Sequence, residues 1–128
     1  MVSKITSGIC VSVKTDYKGM VNTQDGYKHV FAYQVEISNQ SDLSVQLISR
    51  AWTIIDSLSA PIYVKGSGVI GEKPVIAPGN SYQYESFCQL DSGSGAMKGK
   101  YLMRSLVDSQ NIEVDIPVFQ LFTPFSRN

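Results

Sequence analysis

The segment Gly66-Ser67-Gly68-Val69-Ile70-Gly71 has a spacing that could do chemistry. G-x-G-x-x-G is the pattern with which dinucleotide-binding proteins bring backbone close to a pyrophosphate, but only where it leaves a strand and opens a helix. Here Glu72-Lys73-Pro74-Val75-Ile76-Ala77-Pro78-Gly79 follows. Pro74 and Pro78 lack backbone donors and clash inside a helix. Ala77-Pro78-Gly79 reads as a tight turn, with proline setting φ and glycine taking φ > 0. The glycines are therefore expected between strands. A phosphate can still be held there without a helix if successive amides form a nest, with Lys65 and Lys73 flanking. Lys65, Gly66, Ser67, Gly68, Gly71 and Lys73 are thus the candidate anion-binding residues, for phosphate or pyrophosphate. The competing reading gives the glycines a bulge or a close backbone approach within a sheet.

Other chemistry is thinly supplied. His29 is the single histidine, and any Ser-His-Asp or Cys-His site would have to use it. No G-x-S-x-G occurs. Cys10 and Cys88 form no C-x-x-C pair and are expected as reduced, half-buried thiols; Cys88 has no neighbour in sequence to stabilise a thiolate. Zinc ligation would need Cys and His at short spacing. Glu113 and Asp115 share one strand face, and Asp91 and Asp108 sit in turns, an arrangement that suits a solvated face more than a cation site. No catalytic residue, metal ligand or cofactor is assigned. Arg50 and Trp52 are the candidate partner-binding residues, with Tyr63 and the tail Phe119 to Phe125 supplying further residue types common in binding hot spots. Phe122 and Phe125 are expected either to fold back onto the body or to present an apolar patch.

The elements that must position these residues follow a period of two. Ile9, Val11 and Val13 alternate with Cys10, Ser12 and Lys14, and Phe31, Tyr33, Val35 and Ile37 with Ala32, Gln34, Glu36 and Ser38. Residues 45–56 are more continuously apolar and read as a central strand, changing phase near Ser49 through a bulge. Further strands are expected over 61–69, 82–88, 99–107 and 112–118, the last at an edge or bulge because Pro117 cannot donate. Turn residues cluster at 25–26, 39–42, 77–79, 91–95 and 108–111. Seven or so short strands with long connections predict an all-β, immunoglobulin-like sandwich of two sheets, as one domain over 1–128.

Composition agrees with a globular chain: 43% of residues are hydrophobic and 17% charged. Eleven basic and eleven acidic residues cancel, so nothing pulls the chain generally toward nucleic acid or anionic lipid. Ser7, Gly8 and Ser12 interrupt the N-terminal apolar residues, and no apolar run reaches the ~20 residues of a membrane span. A cytoplasmic location is expected.

Several stretches, taken in order, resemble the ApaG (CorD-like) family: Val45 to Trp52, Gly66 to Pro74 with Ala77-Pro78-Gly79, Tyr84 to Leu90, Met97 to Met103, and Val114 to Leu121. Family members often carry histidine between the arginine and the tryptophan, where this chain has Ala51. The resemblance implies a fibronectin type III-like sandwich in a bacterial cytosolic protein without an established reaction. Similar domains occur in eukaryotic F-box proteins and a polymerase-interacting protein, which implies a protein-interaction module. It also implies a genetic link to cobalt resistance and magnesium efflux. A non-enzymatic module binding an as yet unidentified protein is the leading expectation, with small-anion binding at the glycine segment as the alternative.

Overall fold

The period-two segments become two antiparallel sheets in a computed structural model that describes residues 1–124. Nine strands are present among the described residues: β1 (Val2–Thr6), β2 (Ile9–Thr23), β3 (Gly26–Asn39), β4 (Val45–Asp56), β5 (Ile62–Ser67), β6 (Val75–Ile76), β7 (Ser81–Leu90), β8 (Ser94–Ser105) and β9 (Asn111–Phe122). One sheet runs β1-β2-β3-β7. The other runs β5-β4-β8-β9, with β6 added to the start of β4.

The alternating residues face each other across the gap. Ile9, Val11, Val13, Phe31, Val35 and Ile37 from the first sheet are buried, as are Leu47, Met97, Tyr101, Met103 and Val114 from the second. Each such side chain removed from water contributes roughly 1.5–3 kcal/mol. Trp52 sits at the centre, with ring centroids 5.6 Å from Tyr33, 5.9 Å from Phe119 and 6.3 Å from Tyr101. The rings meet edge to face, which the aromatic quadrupole favours. Gly99 lies opposite Trp52 in the ladder, where a Cβ would stand 2.2 Å from the Ala51 carbonyl oxygen. Only glycine allows that approach.

Two expected irregularities are present. The β4–β8 register shifts between Leu47 and Ser49, which turns Arg50, Trp52 and Ile54 inward and Ser49, Ala51 and Thr53 outward. Opposite Lys98, β9 carries Pro117 and Val118 where the ladder skips, on the edge strand of its sheet. Two short strands, β1 and β6, were not expected. β2 and β3 also run further than their apolar alternation, pairing as a ribbon to Thr23 and Gly26. Its residues are mostly exposed, so their sequence has no apolar period to read. β8 begins at Ser94, inside a segment whose Ser and Gly content reads as turn.

Buried polar residues organise the crossings between sheets. Asn39 is fully buried. Its amide donates to the carbonyls of Leu43 (2.8 Å) and Ile76 (2.9 Å), and its Oδ1 accepts from the Ser41 amide and hydroxyl. Asp56, at the end of β4, accepts from the amides of Leu58, Asp91 and Ser92, so one carboxylate holds the β4–β5 and β7–β8 connections. One flank of the sandwich is closed where β1 packs along β9, with Lys4 Nζ 3.1 Å from Asp115 Oδ2 and the Asp115 amide donating to Thr6 Oγ1. On the other flank β7 and β5 end their sheets without pairing to each other.

Candidate functional site

The glycine segment joins strand to strand. Val69 and Glu72 form a two-residue hairpin bridge, with their amides and carbonyls exchanged at 2.8 and 2.9 Å. The turn residues Ile70 and Gly71 have φ of 48° and 75°, the pair of positive values that such a tight hairpin turn requires. The Gly68 amide donates to the Ile48 carbonyl at 2.8 Å, tying the hairpin to the β4 bulge. The amides of Gly68, Val69 and Glu72 are therefore already engaged within the protein. No nest of three free amides converges on a phosphate.

The glycines serve close approach. A Cβ at Gly68 would lie 2.1 Å from the Glu72 carbonyl oxygen, at a φ of 58°. A Cβ at Gly66 would lie 2.8 Å from both Nη1 and Nη2 of Arg50. The Arg50 guanidinium thus lies over Gly66, its neighbour across the ladder, and its Nη1 donates to the carbonyls of Ser67 (3.1 Å) and Gly68 (2.8 Å). The loop offers this cation its oxygens.

Arg50 stands in the open flank, in a cleft of about 320 Å³ between β7 and the β5–hairpin segment. Tyr33, Tyr84 and Ser86 supply polar groups, and Trp52, Val64 and Met97 supply apolar wall. Tyr33 hydrogen-bonds Ser86, and burial pushes its phenol above the ordinary value. Burial also raises Tyr84, whose hydroxyl is bonded to that of Tyr101. Burial pushes the Cys88 thiol up to about 11, so it is a neutral thiol at neutral pH and a poor nucleophile.

The outer face of the five-stranded sheet is a second concavity, broader and shallower, of about 1060 Å³. Its floor is the outward row of β4, namely Ser49, Ala51 and Thr53. The ladder sets Lys65 and Lys100 on either side of Ala51, and Tyr63 and Lys98 on either side of Thr53. Lys100 reaches Glu113 (3.5 Å) and Asp115 (3.9 Å), whereas Lys65 and Lys98 make no ion pair among the described residues.

These positions sort the sequence candidates. Lys65 lies on the outer face, and Gly66 and Gly68 lie against the Arg50 guanidinium. Trp52, a partner-binding candidate whose type is equally at home in a core, is 5% exposed in the core, because the phase change in β4 turns it inward. Tyr63 is 75% exposed. His29 lies within β3, its Nδ1 2.9 Å from the Tyr17 hydroxyl, away from both concavities. Cys10 is half-buried as expected, while Cys88 is buried more fully. Asp91 pairs with Lys28, which holds its carboxyl below the usual range, and also accepts from Ser59. Asp108 caps its own turn through the Gln110 amide. Phe119 is buried and Phe122 half-buried; Phe125 lies outside the described residues. Among the described residues no three His, Cys, Asp or Glu side chains converge as a metal site, and no helix is long and apolar enough to cross a membrane.

Fold and site together define a two-sheet antiparallel β-sandwich with one open flank and one concave outer face. The family model for the ApaG domain matches residues 21–105, and the chain belongs to the ApaG family. It is 42% identical over 127 residues to Protein ApaG of Brucella canis, covering 99% of this chain and 97% of that one. Protein ApaG of Beijerinckia indica is also 42% identical, over 128 residues, with the same coverage. Among solved structures, an X-ray structure of a Northeast Structural Genomics Consortium target superposes with a TM-score of 0.86 at 36% identity, covering 91% of this chain and 88% of that one. The crystal structure of an ApaA protein from Bordetella pertussis superposes with a TM-score of 0.83 at 35% identity, covering 94% and 95%.

Proposed function

We propose that this chain is a non-enzymatic, cytoplasmic binding module that receives an acidic surface of a partner protein on the outer face of its five-stranded sheet. The observation that carries the reading is the trough itself. Small side chains of Ser49, Ala51 and Thr53 form its floor, and the unpaired cations Lys65 and Lys98 stand on opposite sides. Tyr63 adds an exposed aromatic ring, a residue type enriched where interfaces are tightest. Uncompensated lysines at a rim steer an acidic partner and speed encounter. Ala51 matters here because a small residue keeps the trough deep; a bulkier side chain would fill its centre. Arg50 and Trp52 contribute from beneath, fixing the strand that forms the floor.

The test is capture from bacterial lysate on immobilised protein, comparing wild type with Lys65→Glu/Lys98→Glu and with Tyr63→Ala. All three positions are exposed, so the fold should survive. Proteins enriched by wild type should be lost from the charge-reversed variant and should elute from wild type as salt rises. Identical recovery by all three chains would end the proposal.

A further inference from the structure

The cleft on the open flank carries a separate inference, independent of the outer face. Arg50 is a partly buried cation with no counter-ion: it makes no ion pair among the described residues, and its side-chain hydrogen bonds to them are donated by Nη1. A guanidinium has five N–H donors in a fixed fork. Nε and Nη2 make no hydrogen bond to the protein among the described residues and stay open to solvent, free to receive a ligand. The two carbonyls that Nη1 binds hold the group in place but do not neutralise it.

The surroundings specify what would. The walls are mostly apolar, with Trp52, Val64 and Met97 among them, and the polar groups at hand are hydroxyls of Tyr33, Tyr84 and Ser86. A volume of about 320 Å³ is at the small end of ligand sites. One cation and apolar walls match one negative charge on an apolar body. A phosphate or pyrophosphate would bring charge that nothing here balances. Of the two lysines flanking the glycine segment, Lys65 is directed to the opposite face of its sheet, and Lys73, whose Cγ lies beside Gly68, does not line the cleft.

Ile70 adds a second, independent sign. A β-branched residue at φ 48° is strained, and Ile70 is 60% exposed, so burial does not repay the strain. It stands on the rim of this cleft, near Phe87, itself 58% exposed. A strained, exposed isoleucine beside an exposed phenylalanine at a cleft mouth is where a ligand's apolar portion would find cover.

We infer that the cleft between β7 and the glycine hairpin binds a small monocarboxylate with a planar or aliphatic apolar body, its carboxylate on Nε and Nη2 of Arg50 and its body against Trp52, Val64 and Ile70. The glycine segment then takes part in anion recognition by holding the arginine, and its own amides take none.

Trp52 is the single tryptophan and lines the cleft, so its fluorescence reports occupancy without a label. The probes are benzoate, phenylacetate and hexanoate, each paired with its uncharged amide, and inorganic pyrophosphate. At least one carboxylate should change the emission saturably and at least about tenfold more tightly than its amide, since a charge-assisted fork is lost in the amide. Arg50→Gln should erase that preference. Because Arg50→Gln also removes the hairpin's anchor, Val64→Trp serves as the second variant: it blocks the mouth from a half-exposed position on an edge strand, and binding followed by amide chemical shifts should vanish. Three results overturn the inference: no saturable change with any carboxylate, binding undisturbed by both variants, or pyrophosphate binding more tightly than every carboxylate. Loss of the outer-face partner in Lys65→Glu/Lys98→Glu would leave these outcomes unchanged, so the two sites fail separately.

Discussion

At the scale of single residues, the hairpin separates two demands that one motif appears to combine. Gly68 is required by space and by φ, with a Cβ 2.1 Å from the Glu72 carbonyl oxygen. Ile70 is required by neither, since its φ of 48° suits asparagine or glycine better. The two positions should respond to substitution with opposite signs. Gly68→Ala should cost about 2 kcal/mol or more, because the backbone must move. Ile70→Asn should gain roughly 0.5–1 kcal/mol by relieving a β-branched side chain from the left-handed region. Urea unfolding of both variants is the check, and a neutral Gly68→Ala would mean the close approach carries no stability. Glycines 66, 68 and 71 were legible as turn or bulge residues because two prolines forbade the helix. Their coupling to Arg50 was not legible, because it runs between strands sixteen residues apart and depends on which way a bulge turns β4.

At the scale of elements, apolar alternation was readable wherever one face of a strand packs on the core. The inward sets of β2, β3, β7, β8 and β9 follow from it, whereas β4, more continuously apolar, left its inward face open. The proline in β9 also announced its edge. Alternation failed where both faces meet water or the strand is very short, as in β1, β6 and the β2–β3 ribbon, since an exposed ladder leaves no mark on residue type. The same bulge that was readable near Ser49 decides that Trp52 is core, and aromatic type alone says nothing about which side it faces. Connections proved more specific than turn composition suggested. Asp56 gathers the Leu58, Asp91 and Ser92 amides, tying β4 to the arrival of β8. Asp56→Ala should lower stability by about 2–4 kcal/mol, by orphaning donors at a site that is 7% exposed. Asp56→Asn, which keeps one acceptor, should cost less. Equal unfolding midpoints for wild type and Asp56→Ala would show that water replaces the carboxylate without loss.

At the scale of the molecule, one core holds several weak acids in their neutral form. Burial raises Cys88 from 9.0 to about 11, and pushes Tyr33, Tyr84 and Tyr101 upward as well. A raised folded-state pKa means that the folded chain keeps protons the unfolded chain has released. Stability from these groups is complete below the unfolded values and is lost as pH rises through the folded ones. Urea midpoints should therefore hold steady from about pH 7 to 8 and decline above about pH 9, with Cys88 alone accounting for on the order of 2 kcal/mol by about pH 11. Cys88→Ala should flatten part of that decline, and a flat profile in wild type would refute it. The two flanks of the sandwich differ in a way that bears on this cohesion. β1 and β9 lace one side shut, while β7 and β5 leave the other unfastened. Whatever settles between Tyr84 and Val64 touches both layers at once and becomes the missing clasp. Separation of the layers would then have to wait for its departure, so the molecule's endurance under heat would double as a record of what it has met.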